Sequence, residues 1–258
     1  LMKIAFQVNQ LHKAYGARVI LDDVGFSLGD DQRVGCVGRN GAGKTTLVRI
    51  ITGEEQADHG EITKASDLRL AYLEQQDPVQ PEETVIDYIV RQSGRFNDPQ
   101  PDWRCGKLAA RFKIKGEMLD QPVSQISGGV QTRVKLAAML ASEPDYLLLD
   151  EPTNYLDLST LLLLENFLED FQGGFLIVSH DREFMKRTCE HTLEVENGRV
   201  ALYPSDVEDW LARKEEQREQ AISFNKNVEA KRKQLQTFVD RFKAKNAAPC
   251  GVEAEVGP

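Results

Sequence analysis

The sequence predicts an α/β fold built on a largely parallel sheet. Three runs of four residues, at positions 34–37, 146–149 and 175–178, are almost entirely apolar, as strands buried on both faces of a parallel sheet are. Through residue 200 such runs alternate with helical patterns, which favours crossover helices between the strands. From Ser205 onward no strand pattern remains, and apolar residues at helical spacing predict a long amphipathic helix or a pair of helices.

The N-terminal stretch differs from these buried runs. Its apolar residues fall in short segments, and turns are expected at Gly16 and at residues 29–31. We therefore expect a small antiparallel subdomain ahead of the parallel sheet, with strands at residues 5–8, 19–21 and 24–28.

The middle of the chain predicts helices rather than sheet. Residues 77–125 hold five of the ten prolines, and helical patterns cover residues 84–91 and 103–112. A small helical subdomain over about residues 77–142 fits this composition best.

Composition limits the class of protein. With 258 residues, 41% of them hydrophobic, the chain is long enough to bury a core, which excludes disorder of the whole chain. The longest aliphatic runs, such as residues 161–164, are far shorter than the roughly 20 residues that a bilayer requires, so we expect no membrane span. No secretory signal pattern is visible and the four cysteines form no CxxC pair. A cytoplasmic protein without a zinc site or a disulfide framework is expected.

The charge is unevenly distributed along the chain. The net charge is −9, yet residues 213–245 carry ten Lys or Arg against five Asp or Glu, which leaves −14 for the remainder. This basic arm is either a solvated helix face or a surface for a negatively charged partner. Residues 247–258, rich in Ala, Gly and Pro, predict a disordered tail.

A glycine-rich stretch follows the first buried run and begins a helical pattern. In a loop of this kind backbone N–H groups surround phosphate oxygens, and the helix N-terminus adds the positive end of its dipole. Lys44 is expected to reach the β- and γ-phosphates, and the Thr45 hydroxyl to bind Mg²⁺. The alternative is a glycine-rich turn without a ligand. The residues match GxxxxGK[ST], extended here by one threonine: Gly38, Arg39, Asn40, Gly41, Ala42, Gly43, Lys44, Thr45 and Thr46.

Polar residues follow the other two buried runs. Asp150 and Glu151 end the run at 146–149, and His180 follows the run at 175–178. Ligands of open α/β sheets bind beyond the carboxyl ends of the strands, so these side chains are expected to converge on the phosphate site. Asp150 is then placed to hold Mg²⁺ and Glu151 to orient or deprotonate an attacking water. His180 could hydrogen-bond the γ-phosphate. The alternatives are a surface acidic pair and a structural histidine.

Together with Ser127-Gly128-Gly129-Val130-Gln131 and Gln75, these motifs resemble the nucleotide-binding domain of an ABC ATPase over residues 3–204. The resemblance implies a P-loop NTPase fold of the ABC ATPase type. Such a fold has a mixed, mainly parallel sheet, an N-terminal antiparallel β-subdomain and a small helical subdomain, followed here by a long helical extension.

The same resemblance implies ATP and Mg²⁺ as ligands and assigns roles to individual residues. Asp150 matches the Walker B aspartate, Glu151 the catalytic glutamate and His180 the switch histidine. Gln75 matches the Q-loop glutamine, with a catalytic and metal-binding role. Tyr15 stands where the family places an adenine-stacking aromatic, although a packed strand-end tyrosine is the alternative. The remaining nucleotide-binding positions implied are those of the signature and the D-loop: Ser127, Gly128, Gly129 and Asp157.

Three segments narrow the resemblance to ABC-F proteins. Residues 151–157 are similar to the ABC-F sequence EPTNHLD, and residues 179–184 and Tyr203-Pro204 also resemble that family. ABC-F proteins are soluble factors with two ABC domains in one chain, and many act on ribosomes. The implied organisation is an ABC domain at 1–205, a basic helical linker at 206–246 that approaches tRNA and ribosomal RNA, and the tail.

The expected function is an ATP-driven clamp on the ribosome and its tRNA. The clamp requires a second ABC domain, from a missing C-terminal half or from another copy, and the sequence leaves this open. The alternative is an ATPase subunit of an ABC transporter that docks through the helical insertion. A third option is a module that binds nucleotide without hydrolysing it. The presence of both Glu151 and His180 argues against this option.

Overall fold

A computed structural model describes residues 3–73, 82–93, 101–154 and 156–246. Gln75, Tyr155 and the predicted tail lie outside the described residues. The chain divides into two units, Leu1–Trp210 and Leu211–Pro258. The described strands are β1 (Ile4–Tyr15), β2 (Arg18–Gly29), β3 (Arg33–Val37), β4 (His59–Lys64), β5 (Leu70–Leu73), β6 (Tyr146–Asp150), β7 (Gly174–Val178), β8 (His191–Glu196) and β9 (Arg199–Tyr203). The described α-helices are α1 (Lys44–Thr52), α2 (Val85–Gln92), α3 (Pro101–Arg111), α4 (Gly128–Ala141), α5 (Leu158–Asp170), α6 (Arg182–Thr188) and α7 (Val207–Asn246).

The main sheet has the strand order β5-β6-β7-β3-β8-β9, and all neighbours are parallel except the final β8–β9 pair. The predicted α/β fold and its three buried strands are confirmed, as β3, β6 and β7. Every residue of β6 and β7 is buried, which is why their sequences are apolar without alternation. β5, β8 and β9 were not predicted. β5 is only partly buried, and β8 contains the buried polar residues Thr192 and Glu194.

A second, antiparallel sheet has the order β2-β1-β4. The predicted antiparallel arrangement is confirmed, but the segments predicted as separate strands at residues 19–21 and 24–28 form one strand, β2. β1 and β2 have 12 residues each, more than predicted. Asp23 adopts a left-handed φ of 51° inside β2, so the polar residues that separate the two apolar segments of β2 lie within one irregular strand. β4 was not predicted because its residues are mainly exposed and polar.

The hydroxyl of Tyr146 lies in the core between the two sheets. Tyr146 is fully buried, its ring is edge-on to Phe6 with centroids 5.0 Å apart, and its hydroxyl has no hydrogen-bond partner among the described residues. An unsatisfied buried hydroxyl is costly, whereas replacing it with an apolar group of the same shape is close to neutral.

Tyr146→Phe is therefore expected to leave the free energy of unfolding unchanged or to raise it by up to about 1 kcal/mol. Tyr146→Ala, the matched control, removes the ring and is expected to cost about 3–5 kcal/mol. Chemical denaturation of both variants measures the difference. A loss above about 1 kcal/mol for Tyr146→Phe would mean that the hydroxyl has a partner.

The predicted helices of the middle segment are confirmed within two residues as α2 and α3. Thr84 caps α2, since its hydroxyl accepts a hydrogen bond from the Asp87 N–H at 3.2 Å. α2, α3 and α4 pack against one another, with the short 3₁₀ helices Gly116–Met118 and Val123–Gln125 between α3 and α4.

After β9 the chain forms one continuous helix, α7, of 40 residues, rather than a pair. In the second unit its apolar side chains, such as Phe224 and Leu235, are exposed. Within the described part of the chain, none of the helices combines the length and the apolar character needed to cross a membrane.

Candidate nucleotide-binding site

The glycine-rich loop connects β3 to α1 at the carboxyl end of the main sheet. At Gly43 the backbone φ is 107°, and an added Cβ would lie 2.6 Å from Ile20 Cγ2. At Gly38 a Cβ would lie 2.3 Å from the Val195 carbonyl oxygen. No side chain fits at either position without displacing a neighbour, so the loop can keep this path only with glycine.

Lys44 begins α1 and is almost fully buried, with 7% exposure. Its ammonium group donates hydrogen bonds to the Gly38 and Arg39 carbonyl oxygens at 2.9 and 3.2 Å. Charge-assisted bonds from an ammonium group to phosphate oxygens are stronger than bonds to neutral carbonyls. A phosphate group can therefore compete with these carbonyl oxygens for Lys44.

Asp150 lies at the end of β6 and is 3% exposed. Its Oδ1 atom is buried without a hydrogen-bond partner among the described residues. Burial raises the pKa of Asp150, opposed by a smaller effect of a hydrogen bond from Thr45. A carboxylate oxygen left unpaired beside a threonine hydroxyl is a suitable donor set for Mg²⁺, which prefers oxygen ligands. These residues therefore fit the ion that the fold implies.

Glu151 directly follows β6, and its backbone adopts a left-handed conformation with a φ of 51°. Its N–H donates to the Val178 carbonyl oxygen at 2.8 Å, and its carboxylate lies 3.3 Å from Nε2 of His180. Burial raises the pKa of Glu151, and the opposing effect of His180 is smaller. A strained backbone that aims a partly buried carboxylate at a histidine is typical of functional sites, and a raised pKa suits a general base.

Ser179 precedes His180, and the sequence predicted no role for it; in the structure it connects the two strand ends. The buried Ser179 hydroxyl lies 3.2 Å from the Thr153 hydroxyl and accepts a hydrogen bond from the Asp181 N–H at 3.0 Å. The segment after Glu151 and the turn that carries His180 are thereby connected.

These elements surround a cleft of about 500 Å³. Arg18 also lines it, and its guanidinium donates to the Gly41 carbonyl oxygen at 2.9 Å. No sequence motif identified Arg18, because its contact spans 23 residues. The predicted residues that the structure brings together in the cleft are Tyr15, Asn40, Gly41, Gly43, Lys44, Thr45, Thr46, Asp150, Glu151 and His180.

Other predicted residues lie elsewhere. Arg39 and Ala42 line a neighbouring cavity, which shares Asn40 and Gly41 with the cleft. Ser127, Gly128 and Gly129 begin α4, and a Cβ at Gly128 would meet nothing within 4 Å. Asp157 caps α5, since its Oδ1 accepts a hydrogen bond from the Thr160 N–H at 2.7 Å.

The sheet order and the cleft define the class of protein as an ATP-binding domain of the ABC type. The sequence model of the ABC transporter family matches residues 21–154, slightly more than half of the chain. A second model with the same description, for an extension, matches residues 193–249. The chain therefore belongs to the ABC family.

Two relatives of similar sequence indicate the group within the ABC family to which the chain is similar. The ATP-binding protein Uup of Buchnera aphidicola subsp. Schizaphis graminum is 32% identical over 226 residues, which are 86% of this chain and 36% of Uup. The energy-dependent translational throttle protein EttA of Haemophilus influenzae is 37% identical over 214 residues, 79% of this chain and 38% of EttA. Both are ABC-F proteins, which confirms the predicted resemblance. The chain spans less than two fifths of the length of these relatives.

Solved structures agree on the fold. The ATP-binding subunit of an ABC transporter matches with a TM-score of 0.70 and 23% identity, covering 80% of this chain and 91% of that one. An inward-facing, putative metal-chelate type ABC transporter matches with a TM-score of 0.67, 21% identity, and coverage of 78% and 84%. At these identities the likeness shows the fold alone.

Proposed function

We propose that this chain hydrolyses ATP as one half of an ABC-F clamp that acts on the ribosome and its bound tRNA in the cytoplasm. The observation that carries the ATPase assignment is the Glu151–His180 pair beside the unpaired Asp150 oxygen, in the same cleft as Lys44. A site that only held nucleotide would not require a partly buried carboxylate with a raised pKa next to a histidine.

In the proposed reaction the loop N–H groups and Lys44 bind the ATP phosphates, and Tyr15 stacks on the adenine. Thr45, Asp150 and Gln75 would hold Mg²⁺, which supplies charge neutralisation at the phosphates when bound. Glu151 accepts a proton from the water that attacks the γ-phosphate, and Nε2 of His180 holds the Glu151 carboxylate in place. Thr46 and the other loop residues complete the phosphate cradle.

The second half of the proposed clamp faces the beginning of α4. Ser127, Gly128 and Gly129 present backbone N–H groups at the N-terminus of a 14-residue helix, where the helix dipole favours an anion. We propose that this end of α4, together with Asp157, contacts the nucleotide of a second ABC domain. Loss of the γ-phosphate then removes a bridge between the domains and shifts the population towards the open state.

The ribosomal part of the proposal is supported by α7 and by the relatives. The exposed basic residues of α7, such as Arg218, Lys226 and Lys231, can be approached by phosphate groups. EttA, the relative named as a translational throttle, matches over 79% of this chain.

Neutralising part of the basic arm is expected to weaken ribosome binding in a salt-dependent way. A triple variant Lys231→Gln, Arg232→Gln, Lys233→Gln removes three exposed charges and keeps residues of good helix propensity. For every RNA phosphate that the arm no longer neutralises, the slope of log K against log salt should fall by about 0.7–0.9. Co-sedimentation with ribosomes at about 50–200 mM salt measures this slope.

The matched control, Glu215→Gln, Glu216→Gln, Glu219→Gln, removes three exposed acidic side chains from the same helix. This control is expected to leave binding unchanged or to strengthen it. If the basic triple variant keeps the wild-type slope, the arm is a solvated helix face and does not bind RNA phosphates.

The second candidate function is that of a transporter ATPase subunit, favoured by the description of the family model that matches residues 21–154. Such a subunit would dock a membrane protein through the helical subdomain of α2, α3 and α4. Purification from the native host distinguishes the two candidates, since one predicts co-purification with ribosomes and the other with an integral membrane protein.

A further inference from the structure

Tyr15, the last residue of β1, lies at the edge of the cleft with 49% exposure. Its hydroxyl donates a short hydrogen bond to Oε1 of Glu55, 40 residues further along the chain. Glu55 follows the end of α1, the helix that begins with Lys44. The Tyr15 ring is thereby connected to the loop that follows α1, the helix that begins at the phosphate loop.

Glu55 is itself held by Lys13. The ammonium group of Lys13 lies 3.1 Å from Glu55 Oε1, donates to the Gln56 carbonyl oxygen at 2.7 Å, and stands 5.4 Å from the centre of the Tyr15 ring. The side chains of Lys13 and Glu55 are only 13% and 20% exposed. Partly desolvated pairs with several partners hold their geometry better than isolated surface pairs do.

The backbone around this pair is also connected. The Ala14 N–H donates to the Asp58 carboxylate at 2.7 Å, and the Asp58 N–H donates to the His12 carbonyl oxygen at 2.9 Å. The Glu55 N–H donates to the Arg49 carbonyl oxygen at 3.1 Å. The loop after α1 is therefore attached both to its own helix and to the end of β1, and Glu55 is a fixed acceptor for the Tyr15 hydroxyl.

We infer that Glu55 is a positioning residue for nucleotide binding. Its carboxylate accepts the hydrogen bond from the Tyr15 hydroxyl and so keeps the ring in the orientation in which the base can stack on it. The inference rests on the proposed stacking of adenine on Tyr15. A ring that is already ordered loses less freedom when its ligand binds. Freeing the ring should therefore weaken the binding of a ligand that has a base, and leave a ligand without a base unaffected.

Calorimetric titrations with ATP and with inorganic tripolyphosphate test this inference. Glu55→Ala and Tyr15→Phe are each expected to weaken ATP binding roughly three- to tenfold and to leave tripolyphosphate binding unchanged. Tyr15→Phe retains the ring and removes one hydroxyl, so it is expected to fold normally. Because both variants break the same hydrogen bond, the double variant should bind ATP no more weakly than the more affected single variant does.

Two further variants sharpen the test. Glu55→Gln keeps an oxygen that can accept from Tyr15, so it is expected to bind ATP more tightly than Glu55→Ala. Glu54→Ala removes a carboxylate from the adjacent exposed position and is expected to bind ATP like the wild type.

The outcomes separate the inference from the proposed function. If Tyr15→Ala binds ATP as tightly as the wild type, the proposed stacking is wrong. If Tyr15→Ala weakens ATP binding but Glu55→Ala does not, stacking stands and the positioning role of Glu55 is overturned. Equal weakening of ATP and tripolyphosphate by Glu55→Ala would also overturn it, since Glu55 would then act on the phosphate loop through α1.

Discussion

Glu151→Gln is expected to reduce ATP turnover by about 10²–10⁴-fold, the usual contribution of a general base, with ATP affinity retained. The amide keeps the size of the carboxylate and can still hydrogen-bond His180, but it cannot accept a proton from water. Lys44, Thr45 and Asp150 stay in place to bind the phosphates. Phosphate release measures turnover, and calorimetry measures affinity.

The same variant is expected to accumulate the ATP-bound pair of domains. For this chain an ATP-dependent dimer should appear in analytical ultracentrifugation, whereas the wild type should hydrolyse its ATP and remain mostly monomeric. Substituting Ser127 as well should abolish the dimer, because the end of α4 is proposed to contact the nucleotide of the partner.

Glu117→Gln is the matched control, since it makes the same chemical change at an exposed position outside the cleft. It should hydrolyse ATP normally. Wild-type turnover by Glu151→Gln would show that the catalytic assignment is wrong. Loss of turnover without a dimer would show that this chain does not pair with its own copy.

Lys44→Ala is expected to abolish measurable ATP binding and leave the fold intact. The ammonium group of Lys44 is held by two backbone carbonyl groups of the phosphate loop. Among the described residues, no other lysine lines the cleft. Calorimetry with ATP and with tripolyphosphate should show that neither ligand binds, unlike the base-dependent weakening expected for Glu55→Ala.

Lys64→Ala serves as the control for Lys44→Ala, because it removes a lysine from β4, outside the cleft. It should bind ATP like the wild type, and circular dichroism should show both variants folded. Undiminished ATP affinity of Lys44→Ala would reject the assignment of the loop as a phosphate site.

Much of the fold was predictable because its requirements are local. Every residue of β6 and β7 is buried, and so is β3 after Arg33, so apolar residues occupy consecutive positions. The edge strands β4 and β9 were missed because partly exposed strands admit polar residues and lose that pattern. β8 was missed because Glu194, although buried, is polar and is paired with the Tyr203 hydroxyl of β9 at 3.0 Å.

The sequence alone determined the phosphate loop, the two acidic residues at a strand end and the family, since each depends on residue types at fixed, short spacing. Only the tertiary structure decided which distant groups meet. His180 lies beside Glu151 because β6 and β7 are neighbours in the sheet. Glu55 accepts a hydrogen bond from the Tyr15 hydroxyl because the loop after α1 lies against the end of β1. The position of the polar residues at the strand ends predicted that His180 and Glu151 would lie in one site. Their direct contact, like that of Tyr15 with Glu55, depends on strand order and on side-chain packing across 29 and 40 residues.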